Sequence, residues 1–352
     1  MGQTNTATRM ASNALLAQCR ESLNGFPPLL TRNVRRVKHI GNPSASVAKG
    51  PNIRVLQWNV LADALCQNKD NFIKAHPDGL LWENRKSRSL EEILTYDPDI
   101  ICLEEVDHYH DFYNPMLQSV GYQGIFKPKP DSPCVYCVDH NGPDGCALFY
   151  KSDKFDVVDG ITPNLKVTMP GEGSWTTNQV AIIYTLQGKP PSFKGEQFIV
   201  GVTHLKAKKG WDDLRHVQGL KILEHLQEQA KNKAVIFCGD FNAETSEKVY
   251  GAFKESDLGL DSAYKLLSED GSEEPPYTTW KIRPSGEMKH TIDYMWYSKE
   301  KLNVHAVLEL PTESQLGDGR APSLVTASDH FSMVCDFKFK PDYSGDAAFS
   351  SL

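Results

Sequence analysis

Asp240 and Asn242 stand one residue apart just after Ala234-Val235-Ile236-Phe237-Cys238-Gly239, an apolar run of strand length that stops at a glycine. A carboxylate there accepts protons, and a carboxamide orients a water or a phosphate. Their alternation lets both face one cleft while Phe241 packs the other way. An ordinary Gly-Asp turn reads the same way when taken alone, but the arrangement recurs. Asn59 closes the run 53–58, Glu104 and Glu105 close 100–103, and His204 follows 197–203. Asp293 lies in the run 291–297, and Asp329-His330 precede 331–339. Residues of metal-binding and proton-transfer type thus gather at strand ends, where α/β sheets collect their ligands.

Short strands are expected at 53–59, 99–106, 145–150, 179–185, 197–203, 234–240, 291–297 and 331–339. They alternate with helices at 83–96, 211–230 and 246–254. With no Pro/Gly/Ser-rich linker and no internal repeat, one catalytic domain over 50–340 is expected, with a frayed tail at 341–352. The pattern is of α/β (α+β) type. Strand alternation puts Glu104 and Glu105 on opposite faces, so one of the two carboxylates enters the cleft. Adjacent carboxylates at the end of an apolar run are costly without compensation, and Mg²⁺ supplies it, being held by one or two carboxylates while keeping waters for a phosphate. His204 opens a loop with Lys206, Lys208 and Lys209, which suits an anionic group, although each lysine also reads as a solvated surface charge.

The chain of 352 residues carries a net charge of −7, and that charge is unevenly spread. Residues 1–49 hold seven basic residues against Glu21 alone, so the body is acidic and a poor non-specific nucleic-acid binder without metal or a local basic cleft. The N-terminal residues are expected to form a flexible basic extension with one amphipathic helix at 12–26. Their Arg/Ser/Thr-rich composition fits a mitochondrial transit segment, and Gly2 with Thr6 fits N-myristoylation. No apolar run is long enough to cross a bilayer. Several of the eight cysteines lie in apolar runs and no secretory signal is evident, which points to a reducing, cytoplasmic or mitochondrial setting. Cys134, Cys137, His140 and Cys146 have spacings that a zinc site would use, in an irregular Pro/Gly-rich loop.

In order along the chain, Gln57-Trp58-Asn59, Glu104-Glu105-Val106-Asp107, Thr203-His204-Leu205, Gly239-Asp240-Phe241-Asn242, Thr291-Ile292-Asp293-Tyr294 and Ser328-Asp329-His330 resemble the endonuclease/exonuclease/phosphatase superfamily. The resemblance implies a DNase I-like four-layer sandwich, two packed mixed β-sheets flanked by helices, and Mg²⁺-dependent hydrolysis of a phosphate ester. It assigns Mg²⁺ to Glu105 and Asn59, the proton acceptor to Asp240, and water or phosphate orientation to Asn242. His204 and His330, the latter oriented by Asp293, become donors to the phosphoryl oxygens, and Asp329 a second metal contact or an orienter. The stretches 58–62, 142–148, 203–207 and 275–283 look closest to a branch that removes the 2′-phosphate of NADP⁺ and NADPH, with Lys129, Lys206, Lys208, Arg283 and Asn59 at the substrate. Nearby relatives resemble poly(A) deadenylases, so a 3′-exoribonuclease is the second reading and a silent binding scaffold the third; a monomer is expected. Two departures stand out. Glu104 replaces the usual glutamine, and Lys208 stands where arginine is familiar, without its bidentate reach.

Overall fold

The computed structural model describes residues 2–37, 51–67, 71–169 and 173–343. The chain opens with α1 (Gly2–Ser22), β1 (Val34–Arg36), β2 (Ile53–Asn59), α2 (Asp63–Cys66), α3 (Trp82–Tyr96) and β3 (Ile100–Val106). It continues through α4 (Asn114–Ser119), β4 (Tyr122–Pro128), β5 (Gly145–Lys151), β6 (Phe155–Ile161), β7 (Asn164–Met169), β8 (Gly173–Gly188) and β9 (Gln197–His204). Next come α5 (Asp212–Ala230), β10 (Ala234–Asp240), α6 (Lys248–Lys254), β11 (Leu260–Ser262), β12 (Thr279–Arg283) and β13 (Gly286–His290). The last are β14 (Asp293–Ser298), β15 (Leu302–Leu308), α7 (Glu313–Leu316) and β16 (Met333–Phe339).

Two mixed sheets pack face to face. The first runs β1-β15-β16-β2-β3-β5-β4 and the second β11-β14-β10-β9-β8-β6, with β7 also pairing β8 and β12-β13 forming a separate hairpin. β2/β3 and β9/β10 are the parallel pairs, and both carry site residues at their C-terminal ends. Alternation explains the layering. Inward residues such as Val55, Cys102, Val202, Ile236 and Met295 fill the space between the sheets, while Leu56, Ile101 and Val334 meet α1 and α3, and Phe237, Phe241 and Trp296 meet α5 and α6. The result is the expected four-layer sandwich.

In the N-terminal segment, α1 covers 2–22 rather than 12–26 and packs against α3, with Leu15, Leu16 and Cys19 joining the apolar cluster outside the first sheet. β1 adds a strand to the edge of that sheet, with Val34 opposite Leu308. Arg32, almost fully buried, reaches Glu92 on α3 at 2.6 Å and the Ser332 carbonyl at 2.8 Å. Sequence patterning misses this because a three-residue edge strand and one buried arginine leave no local periodicity. The expected tail at 341–352 falls largely outside the described residues.

The zinc spacing does not assemble. Cys146 points into the inter-sheet core, Cys134 Sγ faces Asp144, and His140 Nδ1 accepts from the Gly142 amide at 3.0 Å. All eight cysteines are free thiols. Among the described residues no helix is long and apolar enough to cross a membrane.

Candidate active site

Strand register brings the polar strand ends to one level. Asp240 pairs with His204 across the parallel β9/β10 ladder and with Asp293 across the antiparallel β10/β14 ladder, while Asn59 pairs with Glu104 in the facing sheet. Asn59 Nδ2 then spans the two sheets, donating to Asp240 Oδ2 and Glu105 Oε1, both at 3.0 Å. Its amide oxygen is taken by the Leu61 N–H at 3.0 Å, so the face turned to the cleft is the donor NH₂. Glu105 reaches the cleft because the β3/β5 register slips between Leu103 and Val106 and Glu105 itself adopts φ 56°. Glu104 stays behind, fully buried between the sheets, with Gln57 Nε2 donating to it at 2.9 Å. Burial, with Asp293 and Asp240 adding negative charge, pushes its carboxyl well above the ordinary range.

His330 is held by Asp293, whose Oδ2 lies 2.9 Å from Nδ1. Asp293 is pinned in turn by the Thr278 hydroxyl at 2.6 Å and Gln57 Nε2 at 3.3 Å. Burial opposes charge on the imidazole, but the carboxylates of Asp293 and Asp240 outweigh it and raise the His330 pKa to about 9. His204 is the opposite case. Burial and the Lys129 ammonium, 3.3 Å from Nδ1, drive its pKa well below the ordinary histidine value. A lysine can only donate, so Nδ1 accepts and the proton sits on Nε2, which faces Asp240 Oδ2 at 3.5 Å. His330 Nε2 faces the same oxygen at 3.8 Å. Burial first and the neighbouring Asp293 second raise the Asp240 pKa to about 7. Asn242, at φ 50°, donates its backbone N–H to Asp240 Oδ1 at 2.8 Å and its side chain to the Leu205 carbonyl at 3.2 Å.

Cations ring this acidic centre. Lys129 is buried against Asp144 at 2.6 Å, and Arg283 stacks its guanidinium 4.3 Å from the Phe72 ring. Asp329 is not turned toward the carboxylates: Lys281 Nζ at 2.5 Å and Arg283 at 3.4 Å occupy it and, against its burial, hold it well below the carboxylate range. It is therefore an orienter of cations. Lys206 is half-buried beside Trp211, whereas Lys208 is exposed at φ 82° on the outer loop. Sequence reasoning assigned no role to Gln57, Thr278, Asp144, Phe72 or Lys281. Lys281 left a signal as a cation two residues before Arg283, while Gln57, Asp144 and Thr278 lie in stretches that carry the resemblance.

Side-chain atoms of Asp240, Asp293 and His330 lie within 4.8 Å of one another, a spacing that also suits a metal ion. His330 spends Nδ1 on Asp293, which leaves its Nε2 facing Asp240 Oδ2 at 3.8 Å. The half-buried Glu105 carboxylate accepts from Asn59 Nδ2 on Oε1 and from the Ala62 N–H on Oε2, at 3.0 and 3.3 Å.

The Endonuclease/Exonuclease/phosphatase family matches residues 56–330. Human nocturnin is 50% identical over 94% of this chain and 74% of its own length. The chain belongs to the endonuclease/exonuclease/phosphatase family, in its nocturnin branch. The solved human nocturnin catalytic domain with bound sulfate anion superposes with a TM-score of 0.73 at 45% identity, covering 90% of this chain and all of that one. The Ccr4 3′-5′-exoribonuclease subunit of Candida albicans is 28% identical over 82% of this chain and 41% of its own length. As a family member the chain is a hydrolase of the phosphatase and nuclease type. Endonuclease/exonuclease/phosphatase enzymes typically use a divalent metal.

Proposed function

We propose that the chain is a Mg²⁺-dependent phosphatase that removes the 2′-phosphate of NADP⁺ and NADPH, giving NAD⁺ and NADH. The observation that carries this reading is the convergence of His204 Nε2, His330 Nε2 and Asn59 Nδ2 on Asp240 Oδ2, within a compact ring of Lys129, Lys281 and Arg283. A handful of cations around one acidic centre suits one phosphate and its ribose better than a long strand, whose backbone calls for an extended basic track.

The donor set fits a hard divalent cation at Glu105. Carboxylates crowd the cleft, and their repulsion and burial already lift Asp240 to about 7; a cation relieves that repulsion. Asn59, with its NH₂ turned inward, serves Glu105 by orienting it. When bound, the cation adds positive charge opposite the phosphoryl and leaving oxygens. Asp240 accepts a proton from the attacking water while the new O–P bond forms and the bond from phosphorus to the ribose 2′-oxygen breaks, and the departing oxygen takes a proton from solvent water to leave as the 2′-hydroxyl. Protonated His330 and the Nε2–H of His204 donate to the phosphoryl oxygens, where such donors are worth roughly 10²–10³-fold each. Asn242 orients the water.

The runner-up, a 3′-exoribonuclease acting on poly(A), draws on the Ccr4 relative. One assay separates them: full-length protein with Mg²⁺, NADPH and 5′-labelled oligo(A) RNA, and Asp240→Asn as control. Phosphate release with intact RNA, lost in the variant, supports the phosphatase. Shortened RNA with NADPH untouched replaces it with the deadenylase.

A further inference from the structure

The zinc spacing does not assemble, yet two of its members stay together. Pro133–Tyr136 forms one tight turn, and the Cys137 N–H donates to the Cys134 carbonyl at 3.0 Å. The two Cα atoms of such a closed turn lie within about 7 Å, and a disulfide spans roughly 4.4–6.8 Å. Both side chains pack against one apolar cluster with Ala62, Ala64 and Leu65. We propose that Cys134 and Cys137 are a redox-active dithiol which hydrogen peroxide converts to a disulfide, and that the disulfide slows hydrolysis at the catalytic cluster. The dithiol stands by itself; its effect on NADPH hydrolysis rests on the phosphatase reading above.

All eight cysteines fall among the described residues; seven are buried and Cys137 is partly exposed. Tyr136 and Val138 on either side of it are 77% and 79% exposed, so a small oxidant reaches its sulfur first. Cys102 and Cys238 also meet, but inside the inter-sheet core with neither sulfur exposed. Burial first and the charge of Asp144 second push the Cys134 thiol up, which makes Cys134 the second partner to react. The Cys137 thiolate attacks one peroxide oxygen: the S–O bond forms, the O–O bond breaks, and the departing oxygen takes up the thiol proton as water, leaving a sulfenic acid. The Cys134 sulfur then attacks the Cys137 sulfur. The S–S bond forms, the S–O bond breaks, and hydroxide leaves with the Cys134 proton as a second water. Two thiols are oxidised and one peroxide is reduced to two waters.

The link to the catalytic cluster runs through Asp144, which is fully buried. Its Oδ1 accepts the Ser132 hydroxyl and, at 3.6 Å, the Cys134 thiol, while its Oδ2 accepts Lys129 Nζ at 2.6 Å. The same ammonium serves His204 Nδ1, 3.3 Å away. Oxidation removes the Cys134 S–H, and the buried carboxylate, one donor short, draws more on Lys129. His204 Nδ1 then loses the donor that keeps its proton on Nε2, and one donor to the phosphoryl oxygens weakens. A second contact leads the same way. The cluster around the two sulfurs includes Ala62, whose N–H donates to Glu105 Oε2 at 3.3 Å, so a shift of the turn also reaches Glu105.

The test is titration of the full-length protein with hydrogen peroxide, its remaining thiols capped by N-ethylmaleimide and its disulfides mapped by mass spectrometry. The coupling is read by kcat on NADPH with Mg²⁺ and by the imidazole nitrogen NMR shifts of His204, which need no substrate. Expected are a Cys134–Cys137 disulfide as the first to form, a roughly tenfold fall in kcat with KM nearly unchanged, and movement of the His204 shifts, all reversed by dithiothreitol. Cys137→Ser should match the reduced protein in kcat and keep that rate under peroxide. Oxidation of Cys137 without the bridge, or a Cys102–Cys238 bridge formed first, overturns the dithiol. A mapped Cys134–Cys137 bridge that leaves both kcat and the His204 shifts unmoved overturns the coupling. So does an equal loss of rate in Cys137→Ser. If the reduced protein leaves NADPH intact, the phosphatase reading falls, while the mapped bridge and the His204 shifts still decide the dithiol and its coupling.

Discussion

Asp293 Oδ2 lies 2.9 Å from Nδ1 of His330, and the same oxygen accepts the Thr278 hydroxyl at 2.6 Å. One carboxylate therefore both aims the imidazole and keeps it charged. Asp293→Asn should lower kcat about 10²-fold or more with a small change in KM, because the lost donor acts on charge that grows in the transition state. Steady-state kinetics on the cleaved ester checks this. A fall confined to KM would assign Asp293 to substrate binding instead.

Glu104 is fully buried, and that burial, with Asp293 and Asp240 nearby, pushes its carboxyl well above the ordinary range. Glu104→Gln should retain activity within about threefold near neutral pH, since the neutral hydrogen-bonding shape survives. Glu104→Ala strands the Gln57 amide and opens a void, at a cost of about 1–3 kcal/mol in urea unfolding. A large activity loss in Glu104→Gln would show that its charge matters after all.

Arg283 rests on Phe72, 4.3 Å from ring centroid to Cζ, with a quarter of its side chain exposed. Phe72→Leu should raise KM about three- to fivefold while kcat holds, as the guanidinium loses its platform. Unchanged KM would mean that Asp329 suffices to aim it.

Arg32 and Glu92 form a buried ion pair 2.6 Å apart that ties the N-terminal segment to α3. Arg32→Ala leaves Glu92 unpaired and should cost about 3–5 kcal/mol in chemical denaturation. Near-neutral stability in that variant would make the segment the loose appendage its composition suggests.

Glu274 accepts the Tyr250 hydroxyl at 3.0 Å, and burial raises its pKa to about 7. The folded protein thus holds this proton more tightly than the unfolded chain. The resulting stabilisation is complete below about pH 4.5 and is lost as pH rises through 7. Glu274→Gln should therefore remove part of the alkaline loss, on the order of 2 kcal/mol between pH 5 and 8 in unfolding free energy. Parallel pH profiles for the two proteins would refute the assignment.

Much of the site is legible in the residues themselves, because each strand writes its own burial as an apolar run and its functional end as the polar residue that breaks it. Asn59, His204, Asp240 and Asp293 are found that way, and the layered fold follows from the same alternation. What each of them faces is a different matter. Asn59 and Asp240 are 181 residues apart, and their 3.0 Å contact depends on two sheets packing at one height. Only that packing turns the Asn59 NH₂ inward, buries Glu104 while a register slip exposes Glu105, gives Asp329 to Lys281, docks α1 on α3 and adds β1 to the edge of the first sheet. Local periodicity records which side of a strand is dry. Partner identity and protonation come from the charges and desolvation that distant segments impose, and these exist only once the chain has folded.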